Sequence, residues 1–331
     1  MEVTMLSRRK FLQSSAALAA LPAVSWPTSL ALAAGPAKHS NQVPGYFRIS
    51  VGDIEVTALY DGMIILKPDI LHGTNPKEMA VLLEDGCLYP TGSLPIPISA
   101  FLINTGQNLF MIDTGVGTGF GDKAGMIPGN IKAAGYSPEQ VETILLTHMH
   151  SDHVLGLVDG NGQAIFPGAV VRVSQAEADY WLNQGLENRI PEGQKRFLAK
   201  IRQAVAPYMS SGKFKPFGPG ESPAEGVSAV ALPGHTPGQC GYKLSSQGQS
   251  LLAWGDIAHC QAAQFPRPEV TIDFDVDPAQ AKATRKAIMA QAAREQCWIA
   301  GPHLPYPGLG HIRPRPKGYA WVPAEYRVAG V

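Results

Sequence analysis

A surplus of charge of either sign is missing from this chain. Its 331 residues carry 27 Lys and Arg against 27 Asp and Glu. With no basic excess to grip a phosphate backbone, nucleic acid is excluded as a default partner. Cysteine is scarce. Cys87, Cys240, Cys260 and Cys297 lie far apart with no C-x-x-C pair, which excludes a disulfide-dense scaffold. Long apolar runs are absent too: no stretch reaches the ~18 uninterrupted residues of a membrane-spanning helix. Gly 35 and Pro 28 make up about a fifth of the chain, rich in turns but below the roughly 25–30% of low-complexity segments. What is present is 45% hydrophobic residues, enough for a packed core and too many for a disordered chain. The length suits one large or two small domains.

The N-terminus reads differently from the rest. Ser7-Arg8-Arg9-Lys10-Phe11-Leu12 is a paired-arginine segment, an apolar stretch follows from Ala16 to Val24, and Ala31-Leu32-Ala33 supplies a small-x-small cleavage pattern. Together these match a twin-arginine export signal over residues 1–33, an address and not a membrane anchor. Cleavage after Ala33 leaves 298 residues, with 24 basic against 26 acidic side chains. The mature protein, residues 34–331, is then expected to be periplasmic or secreted. Its four cysteines are expected to be mostly buried free thiols.

Along the mature chain short strands alternate with helices. Tyr46–Val51 with Ile54–Tyr60, and Ala100–Asn104 with Leu109–Asp113, read as hairpins around turn residues. Further strands are expected at Glu142–Leu146, Val170–Val173, Val227–Leu232, Gly241–Leu244, Ser250–Trp254 and Cys297–Ala300. Helices are expected to end near Ala134, to start at Ser137-Pro138-Glu139, and to cover Gln175–Leu182, Glu192–Tyr208 and Pro278–Glu295, the last capped by Asp277. Two sets of strands, each followed by helices, predict two sheets face to face with helices outside. No linker divides the chain, so it reads as one domain.

Chemistry concentrates at four strand ends, where sites are built on rigid elements. His148-Met149-His150-Ser151-Asp152-His153 follows the strand Glu142–Leu146. Residues two apart on an extended segment point the same way, so His148 and His150 can share one metal, and Asp152 and His153 can serve a second. His235 in Pro233-Gly234-His235-Thr236-Pro237-Gly238 is a third ligand for the first pair. Asp256 in Trp254-Gly255-Asp256 is a carboxylate able to bridge two cations. His303 in Gly301-Pro302-His303 completes the set.

H-x-H-x-D-H, then G-H-T-P-G, then G-D, then P-H, in this order, resembles the metallo-β-lactamase superfamily. Ile112-Asp113-Thr114-Gly115 is similar to its first turn, where the aspartate is a structural organiser. Order and spacing across nearly the whole mature chain are most similar to the methyl parathion hydrolase branch and its lactonase-like relatives. The resemblance implies a four-layer αββα sandwich. It also implies one metal held by His148, His150 and His235, another by Asp152, His153 and His303, and Asp256 bridging both. A homodimer is the assembly it suggests. The histidine-rich donor set suits two zinc ions, with cobalt, iron or manganese as alternatives. Two such cations roughly 3.5–4 Å apart would share a bridging water that attacks a carbonyl carbon or phosphorus. Asp256 and Asp152 are the carboxylates expected to take part in catalysis.

Residue comparison trims the superfamily. Class B β-lactamases place a cysteine ligand where Asp256 stands, and Cys260 does not fill that position. Flavodiiron proteins carry Glu where His150 stands, and nuclease branches need nucleic-acid contacts. Lactones, aryl esters and phosphotriesters remain as small-molecule substrates. By similarity the pocket wall is drawn from Leu66, His72, Phe120, Trp181, Phe197, Ile272 and Phe274, with His259 as its polar departure. A polar His259 and a bulky Phe274 favour a lactonase with incidental phosphotriesterase activity. The alternatives are phosphotriester hydrolysis as the main activity and a non-catalytic metal-binding protein of the same fold.

Overall fold

The computed structural model describes residues 38–39, 42–88 and 92–327; the expected export signal lies outside them. Strands β1 (Tyr46–Val51), β2 (Ile54–Leu66), β4 (Leu94–Asn104), β5 (Leu109–Ile112), β6 (Thr143–Leu145) and β7 (Val170–Arg172) form one six-stranded sheet in the order β1-β2-β4-β5-β6-β7. A second has the order β14-β13-β12-β10-β9-β8. Its strands are β8 (Val227–Ala231), β9 (Cys240–Ser246), β10 (Gln249–Ala253), β12 (Trp298–Ala300), β13 (Leu309–Pro314) and β14 (Tyr319–Pro323). A small ribbon pairs β3 (Leu71–His72) with β11 (Thr271–Ile272).

Period-two alternation sorts the strand residues into layers. Phe101, Ile103, Phe110, Ile112 and Leu145 pack between the sheets against Tyr242, Leu251, Ala253 and Ala300. Their neighbours Ala100, Leu102, Met111 and Ile144 face the other way, onto Ile131 and the helix Glu192–Ser210 through Leu198, Ile201, Val205 and Tyr208. On the second sheet Leu252, Trp254 and Ile299 turn outward onto Ile288, Met289 and Ala292 of the helix Pro278–Glu295. This is the αββα sandwich, and Val43–Val331 form one compact unit. All four cysteines are free; Cys240, Cys260 and Cys297 are buried and Cys87 is exposed.

Topology puts the chemistry on one edge. β5, β6 and β7 run parallel in the first sheet, as do β10 and β12 in the second. β8 runs with β10, because each is antiparallel to β9. The carboxyl ends of β5, β6, β8, β10 and β12 therefore lead into Asp113, His148, His235, Asp256 and His303 respectively.

Several expectations differ from the structure, and β2 also runs on to Leu66, beyond the expected end at Tyr60. Ser137-Pro138-Glu139 opens only a short 3-10 turn, Pro138–Gln140. A Ser137–Gln140 capping box closes it, and fully buried Val141 then carries the chain into β6. β4 begins six residues before Ala100 although Pro95 and Pro97 look like strand breakers. They are tolerated because that half of β4 pairs with β2 alone, while β5 joins only at Phe101–Asn104. The helix Pro76–Asp85, capped by Asn75, and the hairpin β13–β14 were not expected.

Candidate metal centre

The site begins with a strained residue. Asp113 lies just past β5 with φ 60°, a left-handed conformation that aspartate tolerates better than most side chains. Its carboxylate accepts hydrogen bonds from Thr147 N and Thr147 Oγ1, both at 2.8 Å, and lies 2.9 Å from His153 Nδ1. One buried carboxylate thus ties the end of β5 to the loop leaving β6 and fixes the ring of His153.

From that loop His148 and His150 converge as their spacing predicts. His148 Nε2 lies 3.1 Å from His150 Nδ1, which lies 2.9 Å from His235 Nε2. Asp256 Oδ2 faces this group, 3.4 Å from His148 Nε2 and 3.1 Å from His235 Nε2. The second group forms around the other oxygen. Asp256 Oδ1 lies 3.1 Å from both His153 Nε2 and His303 Nε2, and Asp152 Oδ2 is 3.4 Å from His303 Nε2. Four donors set tetrahedrally at 2.0–2.1 Å around a zinc-sized cation are themselves about 3.3 Å apart. The first group, His148, His150, His235 and Asp256, has separations of 2.9–3.4 Å; in the second, His153, His303 and Asp256 Oδ1 lie 3.1–3.3 Å apart while Asp152 Oδ2 stands off at 3.4 Å from His303 and 3.9 Å from His153.

Several partners aim the rings. His235 Nδ1 is 2.9 Å from Asp275 Oδ1, His303 Nδ1 is 2.8 Å from the Pro97 carbonyl, and His148 Nδ1 is 3.1 Å from Thr147 Oγ1. Such contacts on the far nitrogen fix tautomer and orientation in metal-ligating histidines. Gly234 lets His235 reach its place: φ is +129°, and a Cβ would sit 2.2 Å from Ala281 N in the helix Pro278–Glu295. Gly234→Ala is therefore expected to cost about 3 kcal/mol in urea unfolding, from strain plus overpacking, and to lower activity by displacing His235.

The donor chemistry fits cations. Asp256 Oδ1 is buried and without a hydrogen-bond partner among the described residues. Burial holds His148 and His150 well below the ordinary histidine range, so both keep neutral, donating nitrogens. Burial also opposes charge on His153 and His235, but Asp256 outweighs it, aided by Asp113 and Asp275 respectively. His153 is held well above its ordinary value and His235 is raised to about 9. These carboxylates attract positive charge to the centre, and divalent cations meet that demand. Cys260 does not take part: burial pushes its thiol up to about 11, and it packs beside Leu83 and Ala263.

Glu177 is the organiser that sequence reasoning missed. It is fully buried on the helix Gln175–Trp181. Oε1 accepts from Met149 N at 2.9 Å and Trp181 Nε1 at 2.6 Å; Oε2 accepts from Thr236 Oγ1 at 2.8 Å and Gly238 N at 3.0 Å. It joins the His148–His150 loop to the His235 turn. Asp275 was missed as well. Neither has a local signature, because each acts on residues that are distant in sequence.

The expected pocket residues divide. Trp181 is buried with its ring 5.3 Å from that of His150. Phe120 and Phe274 are each 39% exposed, and Leu66 is half-buried at the end of β2. His72 is exposed and hydrogen-bonded to Asp273. Phe197 is half-buried, with the Arg196 guanidinium 4.7 Å from its ring centre. Ile272 is 1% exposed in a core cluster with Leu71, Ile96 and Val270; its apolar side chain serves packing and presents no surface to a substrate. His259 stands inside the centre. It is buried, its Nε2 lies 3.0 Å from Asp256 Oδ2, and its ring stacks on His303 at 4.8 Å.

With the two donor quartets in place, the relatives can be compared. The family model described as the metallo-beta-lactamase superfamily matches residues 94–293, more than half of the chain. The chain belongs to the metallo-β-lactamase superfamily. Among solved structures of the superfamily fold, the hydrolase AbOPH is 38% identical with a TM-score of 0.83, covering 87% of this chain and all of that one. AidC, a dizinc quorum-quenching lactonase in complex with a homoserine product, is 26% identical with a TM-score of 0.78, covering 86% of this chain and 99% of its own. The curated protein YobT of Bacillus subtilis (strain 168), uncharacterised, is 27% identical over 157 residues. That match spans 47% of this chain and 60% of YobT.

Proposed function

We propose that this metal-dependent hydrolase opens lactones or aryl esters at a dinuclear centre, with slower hydrolysis of phosphotriesters. The observation that carries the reading is Asp256, whose two oxygens face two separate groups of donors. In this reading His148, His150 and His235 hold one ion, Asp152, His153 and His303 the other, and Asp256 bridges them. Zinc is the proposed metal, supported by the histidine-rich donor groups and by the dizinc centre of AidC. When bound, such ions acidify a water toward neutrality and polarise the substrate's carbonyl or phosphoryl oxygen.

The residues supply the rest. Asp113, Asp275 and the Pro97 carbonyl hold the rings so that little reorganisation accompanies reaction. Asp152 has 15% of its side chain exposed, against 2% for Asp256. It is the carboxylate placed to pass a proton between the centre and solvent. Trp181, Phe120 and Phe274 supply apolar surface for an acyl or aryl group. The similarity to AidC, a lactonase, supports a lactone or ester substrate.

Steady-state rates on an aryl lactone, an acyl-homoserine lactone and methyl parathion test the proposal. A lactone is expected to lead; a lead of several orders of magnitude for the phosphotriester would make that the main activity instead. Residues 1–33 are proposed to export the folded chain by the twin-arginine route to the periplasm or beyond, and the mature chain to form a homodimer. N-terminal sequencing and light scattering of the secreted form check both.

A further inference from the structure

A buried cation stands behind the centre without touching any of its seven proposed ligand side chains. Arg285 projects from the helix Pro278–Glu295 and is 1% exposed. Burying a guanidinium is costly unless its N–H groups find acceptors. Here Nε donates to the Ile257 carbonyl at 2.5 Å, and Nη1 donates to the Val270 and Pro268 carbonyls at 2.6 and 3.3 Å. Nη2 lies 3.6 Å from Asp275 Oδ2. These acceptors come from separate stretches of chain. Ile257 directly follows Asp256. Asp275 holds His235 Nδ1 through Oδ1 and accepts from Ile272 N at 3.2 Å through Oδ2. The two residues after Asp275 grip the same turn: Val276 N donates to His235 O and Asp277 N to Gly234 O.

The other half of the centre is built without such a cation. His153 is fixed by Asp113, whose remaining partners are the neutral Thr147 donors, and His303 is fixed by a carbonyl. No Lys or Arg ion pair reaches Asp113 among the described residues. Apart from Asp256, which faces both, the histidines of the two halves therefore depend on different supports.

We infer that Arg285 is a positioning residue for the His148–His150–His235 half: it locks the Asp275–His235 pair, and through it the aim of His235 Nε2, while the Asp152–His153–His303 half stands without it. This rests on the dinuclear reading above. Removing the guanidinium frees the 268–276 stretch and leaves Asp275 as a buried charge with only His235 and the Ile272 N–H to meet it, so the loss should fall on one metal site.

Zinc titration of the metal-free mature chain against a chromophoric chelator tests this, with each half disabled in turn. In His303→Ala protein, which keeps the first half, Arg285→Met is expected to weaken zinc binding about 10–100-fold, the usual cost of losing a ligand's support. In His150→Ala protein, which keeps the second half, the same change is expected to alter affinity less than about threefold. Arg285→Lys keeps the charge but not the fork, and should recover part of the loss in the His303→Ala background. Equal losses in both backgrounds, or none in His303→Ala, would overturn the inference. If Arg285→Met does not fold, Arg285→Lys decides by the same comparison. An unsubstituted chain that binds no zinc would instead remove the dinuclear reading.

Discussion

Asp256→Ala is expected to abolish useful hydrolysis, lowering kcat/KM by on the order of 10³-fold or more and leaving fewer than two metal ions per chain. Each of its oxygens lies 3.0–3.4 Å from at least two histidine nitrogens: Oδ2 from His148, His235 and His259, and Oδ1 from His153 and His303. Among the described residues it is the one anion in contact with both groups, so removing it takes the shared carboxylate from both donor sets. Asp256→Asn keeps the volume but offers only one oxygen. The asparagine variant should retain one ion more firmly than the other and still lose about 10²-fold or more in rate. Rates and metal content measured on the same samples separate this outcome from misfolding. Full activity in either variant would remove Asp256 from the centre.

The largest effect on stability is expected at a carboxylate behind the proposed ligands. Glu177→Ala leaves four donors without their acceptor: Met149 N, Trp181 Nε1, Thr236 Oγ1 and Gly238 N. An unsatisfied buried donor costs about 1–3 kcal/mol, and a cavity adds to that. Partial relaxation keeps the costs from summing in full, so a loss of about 4 kcal/mol or more is expected in urea unfolding. Glu177→Gln should lose less, about 1–3 kcal/mol. The Thr236 hydroxyl can turn to accept from the new amide, whereas the Gly238 N–H then faces another donor. Burial already raises the Glu177 carboxyl, against the pull of these hydrogen bonds. Its role is therefore geometric: it holds the His148–His150 loop against the His235 turn.

Much of this was legible in the sequence, for a physical reason. Residues able to ligate a metal are few in type and sit on strand ends here, so the H-x-H-x-D-H run and the lone His235, Asp256 and His303 could be read one by one as the candidates that the fold brings together. The strands Leu109–Ile112 and Thr143–Leu145 are short apolar runs, and the helix Glu192–Ser210 carries a 3.6 periodicity through Leu198, Ile201, Val205 and Tyr208, so all three are legible locally. Supports were harder to see. Glu177, Asp275 and Arg285 act across 28 to 61 residues of chain on Met149, Gly238, His235 and Ile257, and no local pattern marks them. Pro95 and Pro97 concealed half of β4 because propensity ignores which side of a strand goes unpaired. Ile272 looked like pocket wall because apolar residues near a site and apolar residues in a core have the same composition.

The central claim is that two divalent ions on the Asp256-centred ligands carry the hydrolysis. Elemental analysis of the purified chain, paired with lactone hydrolysis across a chelator titration and metal readdition, tests it most directly. Two ions per chain, with activity falling as they are withdrawn and returning as they are restored, is the predicted result. Hydrolysis that survives complete chelation, or fails in fully metallated protein, would contradict it.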